Sequence, residues 1–343
     1  MDVRSSPTLT ALDDCPPALL DATAAELHRV LDGPTLVHLP GRRSAPLFVS
    51  ALLHGNEDVG LRALQALLTR YRGKTLPRAL SFFIGNVDAA RTGVRRLDGQ
   101  PDYNRVWPGT DDAASPEARV MQAVTDALRE RHVFASIDLH NNTGLNPHYA
   151  CVSRLDTPSL QLASLFSRTV VHFSTPVGVQ SAALAALCPA ITCECGKVGD
   201  EAGVARAAEL IEAALHLEAI PGHPLREGDV HLFHTVATVR VDAGAAMSFD
   251  GKDADVRFVP DLDHFNFREL SAGAVLATVS RAGMLRASGE HGEDVTRKVL
   301  DQRDGQARLA APLMPSMLTR DERVVRQDCL CYLMERMPGP SSF

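Results

Sequence analysis

The sequence predicts an α/β protein in two parts: an α/β domain over residues 1–220, then a smaller β-rich domain over residues 221–343. Up to about residue 220, short apolar runs typical of buried strands alternate with amphipathic segments typical of helices. Such alternation indicates a largely parallel sheet flanked by helices. Beyond that point, helical periodicity gives way to short strand-like runs between turn residues, which favours a β-rich fold.

The elements of the first part follow one another in a regular order. Capping residues support several of the helices, such as Ser115 before the third and Gly33 after the first. The predicted helices cover residues 16–33, 58–73, 115–132, 158–171 and 200–219, and the predicted strands cover residues 45–53, 79–87, 133–140 and 189–195. In the second part, strands are predicted at 234–243, 255–260, 273–280, 308–314 and 328–335.

Composition excludes several classes of function. The net charge of -7 and the pI of about 6.0 argue against nucleic acid or an anionic membrane as the main partner. No apolar run reaches the roughly 18 residues of a membrane span, and the first residues lack the pattern of a secretory signal. The seven cysteines form no Cys-x-x-Cys pair, which is typical of buried thiols in a reducing compartment. We therefore expect a cytoplasmic protein.

The first candidate site is the stretch ALLHGNEDVG, at the point where a predicted strand gives way to a helix. Ligands of open α/β sheets bind beyond the carboxyl ends of the strands, where His54 and Glu57 lie. A tight turn at Gly55 can aim both side chains at one point. Imidazole nitrogen and carboxylate oxygen are both zinc ligands. The alternative is a helix-capping loop with an incidental histidine.

Two further predicted strands end in residues of the same kind. His140 ends SIDLH, and Asp138 shares its face of the strand, so it could orient that histidine. Glu194 interrupts the apolar run ITCEC, where an unpaired carboxylate would be costly. His54, Glu57 and His140 form a candidate metal set that leaves one zinc position open for water, and Glu194 is the candidate base. A histidine that merely terminates its strand is the alternative for His140.

A polar loop between these strands carries a cluster of arginines. Arg95, Arg96 and Arg105 lie in the stretch RTGVRRLDGQPDYNRVWPG, with Asn104 beside the last of them. Such clusters often lie on a solvated surface. Close to a metal ion, they could instead bind a substrate carboxylate with two prongs or stabilise a developing oxyanion.

Taken together, four motifs in this order resemble the succinylglutamate desuccinylase/aspartoacylase family of the zinc carboxypeptidase superfamily. They are His-Gly-Asn-Glu from residue 54, Asp-x-Asn-Arg-x-Trp from 102, Asp-x-His from 138 and Glu-x-Gly from 194. The stretch 261–277 also looks like the C-terminal β domain of that family, so the resemblance covers most of the chain. It implies a zinc-carboxypeptidase-like mixed sheet, with the β-rich domain following.

The resemblance also implies roles for single residues. His54, Glu57 and His140 match the ligands of one Zn²⁺ per chain, and Glu194 matches the glutamate that activates the attacking water. Asn104 and Arg105 match the pair that grips the free carboxylate of the substrate. Arg95 and Arg96 both fit the arginine that assists at the scissile carbonyl, and Arg95 is favoured. No tyrosine lies between residues 220 and 330, so we expect no tyrosine from that stretch in the pocket.

The function implied is zinc-dependent hydrolysis of the amide bond of an N-acyl amino acid, a small substrate that bears a carboxylate. Two alternatives stay open: a metallocarboxypeptidase that acts on short peptides, and a catalytically inactive relative that only binds. No nucleic acid or membrane partner is expected, and the sequence leaves the acyl group, the amino acid and the oligomeric state undetermined.

Overall fold

The computed structural model describes residues 7–339, whose strands form two sheets of 12 and five strands. The strands are β1 (Thr10–Leu12), β2 (Thr35–Leu39), β3 (Gly41–Ala51), β4 (Leu76–Ile84), β5 (Ala135–Asn142), β6 (Tyr149–Val152), β7 (Thr169–His172), β8 (Ala190–Lys197), β9 (His231–Val241), β10 (Met247–Ser248), β11 (Val256–Phe258), β12 (Val275–Val279), β13 (Leu285–Ser288), β14 (Leu300–Arg303), β15 (Gln306–Leu309), β16 (Met314–Ser316) and β17 (Cys331–Arg336).

Helices lie between these strands, mostly in the first two-thirds of the chain. They are α1 (Val59–Arg70), α2 (Val87–Thr92), α3 (Pro116–Glu130), α4 (Thr157–Phe166), α5 (Gln180–Leu184), α6 (Glu201–His216), α7 (Thr296–Val299) and α8 (Glu322–Gln327), with short 3-10 helices at Pro17–Leu20, Ala24–Arg29 and Leu262–Phe265. None of the helices within residues 7–339 is long and apolar enough to span a bilayer.

The large sheet has the strand order β1-β2-β4-β3-β5-β8-β6-β7-β9-β17-β16, with β13 also paired to β9. Its centre is parallel, since β3 pairs in parallel with both β4 and β5, and β5 pairs in parallel with β8. Antiparallel strands flank this centre, because β2 runs against β4 and β6 runs against β8. The carboxyl ends of β3, β5 and β8 therefore meet at one edge of the sheet, where the predicted site lies.

Helices cover both faces of the central strands. Along β3 the side chains alternate, so Val49 joins one hydrophobic cluster and Phe48 joins another. The first cluster contains Leu67 of α1 and Ile211 of α6, and the second contains Met121 of α3. Burial on both faces explains why the second half of β3, APLFVSA, appears in the sequence as a nearly continuous apolar run. The predicted fold class is confirmed: a mixed sheet flanked by helices and a β-rich C-terminal region.

The C-terminal region contributes to both sheets. Strands β10, β11, β12, β15 and β14 form the five-stranded sheet around a hydrophobic cluster of its own. In contrast, β9 pairs in parallel with β7, and β17 pairs with β9, so the large sheet continues past residue 220. The boundary at residue 220 stays a prediction.

Two predicted helices differ from the structure. The segment 16–33 holds two separate 3-10 helices, because Thr23 is extended, with φ of -69° and ψ of 161°, and forms a capping box with Glu26 that starts the second one. The helix predicted over 158–171 ends at Phe166. Ser167 is extended there and its Oγ donates to the carbonyl of His148 at 2.9 Å, so the chain continues as strand β7.

Candidate functional site

A sharp turn after β3 positions the first pair of predicted residues. A Cβ atom on Gly55 would lie 2.2 Å from the backbone nitrogen of Ala90, so no side chain fits there. The amide of Gly55 also donates to the carbonyl oxygen of Arg95 at 3.0 Å. The turn is therefore held against two other segments, and it places His54 and Glu57 side by side.

Three predicted side chains converge at the edge of the sheet. His54, Glu57 and His140 are buried, and one ligand atom from each lies within 4.8 Å of the others. The Glu57 carboxylate lies between the two imidazoles, with Oε1 2.9 Å from Nδ1 of His54 and Oε2 2.7 Å from Nδ1 of His140. The three side chains could hold a metal ion.

Each of the two histidines has an aspartate at its other ring nitrogen. Nε2 of His54 lies 3.0 Å from Oδ1 of Asp102, and Nε2 of His140 lies 2.8 Å from Oδ2 of Asp138. Ser50 Oγ in turn donates to Oδ1 of Asp138 at 2.6 Å. Such partners are typical of metal-binding histidines, because they fix the orientation of the ring and direct the opposite nitrogen at the ion. Nδ1 is therefore the candidate ligand atom of both.

The electrostatics of the three side chains fit a cation. Nδ1 of His54 is buried and has no hydrogen-bond partner among residues 7–339, although it lies 2.9 Å from Glu57 Oε1, because the geometry is not that of a hydrogen bond. Burial lowers the pKa of His140, but Asp138 and Glu57 outweigh it and raise this pKa well above its usual value. The carboxylates thus favour a positive charge at this point, and a metal ion can supply it.

Glu194 lies beside this centre on β8. It is the cross-strand neighbour of His140, and its side chain lines the same cavity. Its Oε2 is buried and finds no hydrogen-bond partner in the described part of the chain. Burial raises the pKa of Glu194 to about 7, and nearby Glu57 adds to this effect while His140 opposes it. A carboxyl group with one unused oxygen and such a pKa suits proton transfer at neutral pH.

The arginine loop brings Arg95 to the same cavity. Its guanidinium donates to Oδ2 of Asp102 at 2.9 Å and lies 3.5 Å from both Glu57 and Asp328. Arg96 is directed elsewhere: it donates to the carbonyl oxygen of Gln100 at 2.7 Å and is not among the described residues that line the cavity. A catalytic role for Arg96 stays a prediction, and the geometry favours Arg95.

Asn104 and Arg105 also line the cavity. The side chain of Asn104 is held in place, because Nδ2 donates to Oδ2 of Asp138 at 3.3 Å and Oδ1 accepts from the amide of Gln180 at 2.8 Å. Arg105 donates to the carbonyl oxygen of Asn104 at 2.8 Å and reaches Asp328 only through long contacts of 3.4 and 3.5 Å. One side of the Arg105 guanidinium is therefore weakly held and can bind an incoming anion.

The cavity that joins these residues has a volume of about 110 Å³. The candidate ligands and Glu194 lie together at the carboxyl ends of strands β3, β5 and β8, and this part of the cavity is called the metal end. Part of its wall comes from the C-terminal region, which contributes Thr235, Met317, Asp328 and Tyr332. Every predicted site residue except Arg96 lines this one cavity.

The family model described as the succinylglutamate desuccinylase/aspartoacylase catalytic domain matches residues 44–220, which is more than half of the chain. The chain belongs to the succinylglutamate desuccinylase/aspartoacylase family. The resemblance seen in the four motifs is thus confirmed, and all four lie inside the matched segment. No curated protein matches this sequence significantly.

Solved structures of this family share the fold. The succinylglutamate desuccinylase of Chromobacterium violaceum is similar with a TM-score of 0.56 at 18% identity, over 87% of this chain and 86% of that one. A succinylglutamate desuccinylase/aspartoacylase of Rhodobacter sphaeroides gives 0.58 at 15% identity, over 88% and 89%. Murine aminoacylase 3 gives 0.56 at 16% identity, over 86% and 95%. At these identities the likeness establishes the fold.

Sequence reasoning missed three residues of the site. Asp102, whose carboxylate contacts His54, is the first residue of the family's Asp-x-Asn-Arg motif. Its place in that motif could have identified it as a site residue. Asp328 and Tyr332 lie far along the chain without a motif around them. Tyr332 also lines the cavity, and it lies two residues beyond the stretch 220–330, from which no tyrosine was expected.

Proposed function

We propose that the protein hydrolyses the amide bond of N-acyl amino acids, with Zn²⁺ held by His54, Glu57 and His140. The observation that carries the proposal is the convergence of these three side chains with Glu194 in one buried cavity. Two imidazoles and one carboxylate are a donor set of catalytic zinc sites, which keep one position open. Bound there, zinc supplies Lewis acidity, which polarises a carbonyl oxygen and lowers the pKa of water towards about 7.

The side chains of this chain then have separate tasks. Glu194 accepts the proton of the attacking water on its unused Oε2 and delivers it to the departing amine. Arg95, within 3.5 Å of Glu57, opposes the negative charge that grows on the scissile carbonyl. Arg105, assisted by Asn104, holds the free carboxylate of the substrate.

The size of the cavity supports a small substrate. Its volume is about 110 Å³, which is less than the roughly 150 Å³ of an engineered protein cavity that binds benzene. An amino acid with a short acyl chain, partly in the opening, fits such a space better than a long peptide does. The volume therefore disfavours long peptides, and activity on N-acyl amino acids against dipeptides separates the deacylase from the metallocarboxypeptidase alternative. The presence of all three ligands and Glu194 supports an enzyme over an inactive binding relative.

The test is turnover together with metal content. We expect the purified protein to hold about one zinc per chain and to release free amine from a panel of N-acyl amino acids, but not from dipeptides. His140→Ala should lose both the zinc and the turnover. His172→Ala is the matched control, because His172 contacts the ring of His234 outside the cavity lining, and this variant should keep its metal. Unchanged zinc in His140→Ala, measured by elemental analysis, would exclude His140 as a ligand.

A further inference from the structure

The positive charges of the cavity are few and are all at one end. Of the described residues that line it, only Arg95 and Arg105 carry a permanent positive charge. Arg95 lies 3.5 Å from Glu57, and Arg105 shares the Asp328 carboxylate with Arg95. The proposed Zn²⁺ would add its charge at the same end, beside Glu57. A substrate carboxylate can therefore find a charged partner only there.

Both arginines already face carboxylates of the chain. Arg95 lies 2.9 Å from Asp102 and 3.5 Å from Asp328, and Arg105 lies 3.4 Å from Asp328. These two cations and two anions balance each other, and Glu57 and Glu194 face the charge of the proposed Zn²⁺. The pairs are largely shielded from water, where attraction between opposite charges is stronger than at an exposed surface.

Asp328 is the central carboxylate of this arrangement. It directly follows α8 and precedes the first residue of β17 by three positions, and its side chain lies between the two guanidinium groups. Its bonds to Arg105 are long, at 3.4 and 3.5 Å, whereas charge-assisted hydrogen bonds of this kind are usually about 2.7–2.9 Å. Arg105 can therefore bind one substrate carboxylate. A second substrate carboxylate would need the positive charge of Arg95, which Asp328 and Asp102 already neutralise.

The remainder of the cavity wall is uncharged. It contains apolar side chains such as Val171, Phe173 and Met317, together with hydroxyl and amide side chains such as Thr192, Thr235 and Asn141. A carboxylate placed there would lose its water without gaining a charged partner, which is costly. An alkyl or aryl group placed there would instead gain from burial.

We infer that the site selects N-acyl amino acids with a single carboxylate and no other charge, and that Asp328 is a specificity-determining residue that rejects a second carboxylate. The inference rests on the proposed function, since it names the substrate class of the same site. A second carboxylate should be rejected whether it lies on the acyl chain or on the amino acid side chain, because the two arginines can bind only one substrate carboxylate.

Three compounds of nearly equal shape test the inference in the zinc-loaded protein. N-butanoyl-norvaline has one carboxylate, N-succinyl-norvaline adds one on the acyl chain, and N-butanoyl-glutamate adds one on the side chain. We expect kcat/KM for the first to exceed that for either of the others by roughly 100-fold or more, because like charges brought close together repel strongly. Equal or faster turnover of either dicarboxylate would overturn the inference and leave the proposed reaction intact.

A variant isolates the effect of Asp328. In Asp328→Asn, the ratio of kcat/KM for the monocarboxylate to kcat/KM for the dicarboxylates should fall about tenfold. The reason is that one guanidinium loses its anion and can then bind a second substrate carboxylate. Asp261→Asn is the control, since Asp261 is exposed and does not line the cavity, and it should keep the full preference. An unchanged preference in a folded Asp328→Asn protein would contradict the role of Asp328.

Binding separates this inference from the reaction itself. The Kd of each compound for zinc-loaded Glu194→Gln protein is measured by calorimetry, and the same order of preference is expected. If none of the compounds is hydrolysed by the unaltered protein but the order of binding holds, the proposed reaction is wrong and the inferred selectivity stands. If none binds, or the dicarboxylates bind more tightly, the inferred selectivity is wrong.

Discussion

The two ends of the cavity differ in origin and in chemistry. The metal end comes from three neighbouring parallel strands, whose carboxyl ends place His54, His140 and Glu194 together. Another part of the lining comes from the C-terminal region, including Met317 and Tyr332. Under the proposed function, the comparison teaches that the chemical step depends on the strand-end residues and that the C-terminal region adds to the choice of substrate. Changes at the metal end should therefore alter the metal or the chemical step, and changes in the wall should alter preference.

The largest effect is expected at Glu194. Glu194→Gln keeps the shape of the side chain but cannot accept a proton, so turnover should fall by roughly 10²–10⁴. Zinc content and melting temperature should stay near those of the unaltered protein, since Glu194 is outside the candidate set of metal ligands. Glu209→Gln on the exposed face of α6 is the control. Near-normal turnover in a zinc-loaded Glu194→Gln protein would remove Glu194 from the mechanism.

A smaller effect is expected at the aspartate that orients His54. Asp102→Asn replaces the carboxylate that contacts Nε2 of His54 by a neutral amide. Zinc affinity should fall by about 10–100-fold. The measurement is a competition with a chelator of known affinity. Asp126→Asn, at a half-exposed position on α3 away from the cavity lining, should leave zinc affinity unchanged. Full zinc affinity in Asp102→Asn would show that the ring of His54 is held by other contacts.

The smallest effect is expected in the wall. Tyr332→Phe removes one hydroxyl group, and a hydrogen bond contributes about 0.5–1.5 kcal/mol, so kcat/KM should fall by no more than about tenfold. Zinc content should not change. Tyr71→Phe, at the end of α1 and away from the cavity, should behave like the unaltered protein. A loss as large as that of Glu194→Gln would break the comparison, because the wall would then take part in the chemical step.

The sequence predicted the metal end of the site more completely than the wall, for a physical reason. A polar residue such as Glu194 within an apolar strand is conspicuous, because burying an unpaired carboxylate is costly. Parallel pairing of adjacent strands then brings the strand ends together without further information. The central helices and strands were predictable for similar reasons, since periodicity and caps such as Ser115, whose side chain accepts from Ala118, are local signals.

The wall was not predictable in this way. Asp328 and Tyr332 reach the cavity because β17 pairs with β9, and β9 with β7, which is a relation between segments far apart in the sequence. Nothing in their local sequence signals burial beside arginines. The same limit applies to residues 16–33, where the capping box of Thr23 and Glu26 interrupted a helical pattern that the apolar spacing favoured.

The late position of β17 in the chain has a consequence for synthesis on the ribosome. Roughly 130 residues separate Glu194 from Asp328, and at about 5–20 residues per second their synthesis takes roughly 7–27 s. During that interval the nascent chain already contains every candidate zinc ligand and the candidate base, but not the strand that brings Asp328 and Tyr332 to the cavity. Asp328, which we infer to set the selectivity of the site, is thus made after the candidate metal ligands.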